Sequence, residues 1–146
     1  MIANYCKYGF LAPMMFFHKE GQTIFFEIPD EALASQSNKE LLAKTIQHRC
    51  HMPDVIAAGI IIEAYCTPKL ASDDPLIKQI SKGKTTVSQL PDKRDIIFMI
   101  FSTPLTEEFI GCFVDPEKKT IIGNMDSEDR IGFGGTFSQF FKWNKN

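Results

Sequence analysis

The chain has 146 residues, 44% of them hydrophobic, and a formal charge of −2 from 16 basic and 18 acidic residues that form no long block of either sign. A chain of this length suits one α+β domain over residues 1–146 that buries roughly 68–70% of its unfolded surface, which argues against wholesale disorder. Duplex nucleic acid is an unlikely partner without a basic block, since that affinity comes from clustered Lys and Arg on phosphates, and no run nears the roughly 20 apolar residues of a membrane span.

Residues 10–17 are apolar, but Pro13 splits the run, and neither the basic start nor the small-residue cleavage site of a signal peptide is present. Residues 10–18 read as a strand, Lys19-Glu20-Gly21-Gln22 as a turn, and residues 23–28 as a second strand, giving a Phe-rich β-hairpin. A helix follows. Ser37-Asn38-Lys39-Glu40 matches a capping box, with Ser37 as the N-cap and Glu40 at N3. Leu41, Leu42, Thr45, Ile46 and then Arg49 or Cys50 recur at three-to-four spacing and predict one apolar face. Pro53 stops the helix.

Val55–Cys66, VIAAGIIIEAYC, is an apolar run interrupted once, by Glu63, and reads as a buried central strand. Residues 69–89 are polar and form a long loop or short-helix insertion, with Asp74 as cap, Pro75 at the first helical position and Gly83 at the exit. Residues 95–102, 108–114 and 119–125 predict three more strands, the last two joined by a turn at Asp115-Pro116-Glu117-Lys118. The tail, residues 132–146, is aromatic: Phe133, Phe137, Phe140, Phe141 and Trp143 fall partly at helical spacing and predict a short docked helix. This order predicts a mostly antiparallel sheet of five to six strands, with one long helix packed on one face.

The four cysteines, Cys6, Cys50, Cys66 and Cys112, are far apart and include no CxxC pair, so reduced thiols in a cytoplasmic protein are expected. His48-Arg49-Cys50-His51 has no second ligand pair at zinc spacing and reads as basic capping of a helix end rather than a metal cluster. The glycine-rich Gly132-Phe133-Gly134-Gly135-Thr136 lacks the preceding strand and following Lys-Ser or Lys-Thr of a phosphate loop, and no GxSxG elbow is present. No cofactor is expected.

The chemistry therefore centres on Glu63. On a strand it shares a face with Gly59, Ile61 and Tyr65. A buried carboxylate must pair or take up a proton, and Arg94, just before the next strand, is the expected partner. A structural clamp is the preferred reading of that pair. A ligand site built from Glu63, Tyr65 and Arg94, roofed by residues 69–89, is the alternative.

Pro13-Met14, Glu63-Ala64-Tyr65 and Pro91-Asp92-Lys93-Arg94-Asp95 carry a resemblance that spans residues 11–122. There the chain resembles a group of small uncharacterised bacterial α+β proteins. Tyr65 stands where that group leads one to expect tryptophan, and the group's N-terminal helix has no counterpart in this reading. The resemblance implies a fold and no activity.

Two functions are compatible with these residues. One is a non-catalytic binding or protein-interaction module, a homodimer if the second sheet face needs cover. The other is a small-molecule-binding domain or small enzyme at Glu63, Tyr65 and Arg94. Oligonucleotide contact through Lys78, Lys82 and Lys84 is a weaker third.

Overall fold

A computed structural model describes residues 2–67, 73–126 and 136–142, with the backbone alone for residues 2–4. The fold is α+β. Six strands, β1 (Met14–Lys19), β2 (Gln22–Glu27), β3 (Val55–Cys66), β4 (Arg94–Ser102), β5 (Glu107–Asp115) and β6 (Thr120–Asn124), form one open antiparallel sheet in the order β2-β1-β3-β4-β5-β6. The helices are α1 (Ile2–Tyr8), α2 (Asp30–Leu33), α3 (Gln36–Cys50) and α4 (Pro75–Ser81). Among the described residues no helix is long and apolar enough to cross a membrane.

The residues group into two compact units, and β3, β4 and β5 each contribute to both. One unit comprises Ala12–Ile62, Phe98–Ile110 and the C-terminal residues. Its hairpin pairs Met14 with Glu27 through Lys19 with Gln22, across a two-residue turn whose Gly21 has φ +73°. Such turns need a positive φ, which glycine adopts without strain. The inner strand β1 buries Phe16 and Phe17, whereas Phe25 and Phe26 of the edge strand β2 remain 56% and 45% exposed. The aromatic hairpin is thus half core and half surface.

β1 also pairs with β3, from Met14 opposite Ile61 to Lys19 opposite Val55, with a bulge between His18 and Lys19. Phe16 lies opposite Gly59, and its ring covers the glycine so closely that an added Cβ would stand 2.3 Å from both Phe16 Cζ and the Ile100 carbonyl oxygen. Glycine is required there by close approach, not by backbone angle. Phe101 stacks on the same ring at 6.2 Å.

The long helix α3 starts two residues earlier than its capping box predicts. Ser35, not Ser37, is the N-cap, its hydroxyl accepting from Asn38 N at 3.1 Å. Glu40 instead accepts from the Gln36 side-chain amide at 3.1 Å. The buried face is Ala43, Ile46 and Cys50, so Leu41, expected inside, is 66% exposed. Arg49, near the helix end, makes a two-pronged pair with Asp54 (3.0 and 3.2 Å), and Lys19 reaches the same carboxylate at 2.8 Å. These two cations hold the Asp54 carboxyl well below the usual range.

Near the C-terminus Phe137 and Phe140 are buried, and Glu107 accepts from Ser102 Oγ at 2.7 Å and from Gln139 N. Residues 136–142 form bends and turns rather than the predicted helix; the rest of that prediction, with Phe133, Trp143 and Gly132 to Gly135, lies outside the described residues.

The other unit comprises Met1–Leu11, Glu63–Ile97 and Gly111–Asp129. Its α1 is the helix missing from the sequence reading. It ends at Gly9 (φ +78°), whose N–H returns to the Tyr5 carbonyl at 2.7 Å, and the Lys119 stem packs against that glycine. A positive-φ glycine is a common helix terminator. α4 forms as predicted, with Asp74 accepting from Leu76 N at 2.9 Å, Pro75 in the first turn and Gly83 (φ +67°) after the exit. It buries no residue.

All four cysteines are free, and Cys50, Cys66 and Cys112 are buried. Burial pushes the Cys50 thiol up to about 12 and raises Cys112 as well.

Candidate functional site

The site lies wholly within the unit that contains α1. β3 alternates sides along its length, so Glu63 and Tyr65 point the same way. They line a cavity of about 100 Å³ together with Tyr5, Ala64, Asp95, Ile96, Val114 and Pro116. Tyr5 is 1% exposed, while Glu63 and Tyr65 are exposed at the mouth.

β1 leaves β3 after Met14 opposite Ile61, and two residues further on the Glu63 side chain takes over as acceptor. Its Oε1 accepts the Leu11 backbone N–H. That bond satisfies a main-chain donor that has left the sheet ladder, and it leaves Oε2 for another partner.

Arg94 is not beside Glu63. Its guanidinium stands 3.4 Å from the centre of the Phe113 ring, a cation–π contact, and among the described residues no ion pair joins it to Glu63. Arg94 and Asp95 face opposite sides of β4, and Asp95 is among the lining residues while Arg94 is not. Of the three residues singled out from sequence, the structure brings Glu63 and Tyr65 together and leaves Arg94 outside the lining. The roof differs as well. The cavity is walled by α1, β3, β4, β5 and the β5–β6 turn, and no residue of the 73–89 segment lines it.

Sequence reasoning missed Tyr5 and Asp95. Asp95 carried a signal, since it follows Arg94 directly in a predicted strand. Tyr5 carried none. Its hydroxyl makes no hydrogen bond among the described residues. Burial raises its pKa first, and the negative charges of Glu63, Asp95 and Asp115 raise it further. The cavity floor is therefore a region of negative potential. The mouth carries a cation on one flank: Lys93 Nζ stands 4.6 Å from the centre of the Tyr65 ring and donates to the Ser88 carbonyl.

Among the described residues no group of three or more His, Cys, Asp or Glu is placed to hold a metal ion. His51 Nδ1 bonds to the Gln47 carbonyl and Arg49 to Asp54 where the helix ends. No nucleophile with an adjacent base lines the cavity, which offers two carboxylates, two phenols and an apolar wall.

No protein-family model matches the chain, and neither the curated proteins nor the solved structures include a significant match to it.

Proposed function

We propose that the chain is a non-catalytic binding module of a bacterial cytoplasm, with its ligand site in the cavity lined by Tyr5, Glu63, Tyr65 and Asp95. The observation that carries this reading is Tyr5. The Tyr5 side chain is almost wholly buried, lines the cavity and has no hydrogen-bond partner among the described residues, so a ligand there can supply one. The cytoplasmic assignment rests on four free thiols. A mixed set of small acidic, basic and neutral fragments, followed by amide chemical shifts, tests the site. Shifts confined to residues around 5, 63–65, 95–96 and 114 support it; a set that moves none of them, or only amides elsewhere, overturns it.

A homodimer is the second reading, and it rests on β2. Among the described residues this strand ends the sheet and its outer edge has no partner strand, and Phe25 and Phe26 are half-exposed on its two faces. Natural edge strands are usually short, charged or covered. Light scattering at two concentrations tests this: a dimer mass that Phe25→Lys reduces to a monomer supports it, and a monomer at high concentration removes it.

A further inference from the structure

We infer that the ligand group of this cavity is a primary alkylammonium, seated between Glu63, Asp95 and the Tyr5 hydroxyl. The inference rests on the binding-module reading and names the chemistry of that same site.

A primary ammonium carries three N–H donors and no acceptor. The cavity presents three acceptor groups from three separate elements: Glu63 Oε2 from β3, the Asp95 carboxylate from β4 and the Tyr5 oxygen from α1. Glu63 Oε1 is already engaged by Leu11 N, and neither Asp95 nor Tyr5 has a hydrogen-bond partner among the described residues. No basic side chain lines the cavity. An anion would meet two carboxylates and no lining cation, and a neutral ligand would gain nothing from their charge.

Size and shape come next. An apolar cavity of about 150 Å³ holds benzene, so about 100 Å³ suits a ligand of roughly four or five heavy atoms. The remaining lining residues are Ala64, Ile96, Val114 and Pro116, whose apolar groups suit a short alkyl stem. A guanidinium brings five donors in a rigid fork to three acceptors and leaves donors unpaired. A bare metal ion meets too few protein ligands.

Four heavy atoms describe both a free small amine and the tip of a lysine side chain. Titration of the isotope-labelled full chain, at fixed ionic strength, separates these. The probes are propylammonium, a backbone-blocked lysine peptide, propylguanidinium, propionate and propanol. The expected result is saturable movement of the amides near 5, 63–65, 95–96 and 114 with propylammonium. Propionate and propanol leave them still, and propylguanidinium binds more weakly. Asp95→Asn lowers propylammonium affinity about tenfold or more, because one charge-assisted bond is lost. Glu63→Gln does the same while keeping an acceptor for Leu11. Tighter binding of the lysine peptide than of propylammonium assigns the ammonium to a partner protein; the reverse assigns it to a free amine. Saturation by propionate or propanol without propylammonium overturns the ammonium and leaves the binding site standing. Silence from every probe at these amides overturns both.

Discussion

The two halves of β3 are one continuous strand with opposite work. From Val55 to Ile62 every residue except Ile56 is buried; from Glu63 to Cys66 burial alternates, with Glu63 and Tyr65 exposed. The difference comes from the neighbours. The first half has β1 along its edge, and Phe16 presses onto Gly59. The β1 ladder ends at Ile61, and beyond it a side chain, Glu63, accepts the main-chain N–H of Leu11. Where the ladder stops, backbone hydrogen bonding passes to a carboxylate, and a cavity opens beside it. A strand that is core at seven of its first eight residues thus lines a cavity from Glu63 to Tyr65.

The comparison breaks most readily at Gly59. Gly59→Ala places a Cβ against a backbone oxygen that cannot move away, so about 3 kcal/mol of stability is expected to be lost. Urea unfolding measures it, and a loss below about 0.5 kcal/mol shows that the first half is loosely packed. The next effect is smaller and lies outside β3. Ser35→Ala removes the true cap of α3 and should cost about 1 kcal/mol, while Ser37→Ala costs almost nothing. Equal losses would restore the capping box read from sequence.

The smallest expected effect is electrostatic. Asp54 sits just before β3 with its carboxyl held below the ordinary range by Arg49 and Lys19. A depressed carboxyl contributes stability above its unfolded value, near 3.9, and loses it as pH falls through the lower folded value. The pair is solvent-exposed and screened, so the contribution is modest. Asp54→Asn should lower the melting temperature slightly at neutral pH and flatten the acid side of the pH profile below about 4. An unchanged acid limb would remove the clasp from the account.

Much of the fold was legible. Val55–Cys66 has the same bounds in sequence and structure, because a long apolar run between Pro53 and Pro68 leaves little choice. α4 was legible from its Asp-Pro start and Gly exit. α1 was not, since seven residues make no stable helix alone, and burial of Tyr5 supplies what local propensity lacks. The apolar face of α3 was read one residue out of phase, because Leu41 outweighs Ala43 in hydrophobicity although Ala43 is inside. The site was half legible. Alternation placed Glu63 beside Tyr65, but one residue of register separates Arg94 from Asp95, and that decides which charge enters the cavity. A lone carboxylate invites a basic partner on paper; here it finds a backbone N–H and a second acid.

The most direct test is Glu63→Gln, measured twice on the same sample: urea unfolding for stability and amide shifts for propylammonium binding. Gln retains an oxygen for Leu11 and removes only the charge. The account predicts stability within about 0.5 kcal/mol of the parent chain together with loss of binding. A loss of more than about 2 kcal/mol with binding retained would make Glu63 a structural clamp and contradict the division of β3 into core and site.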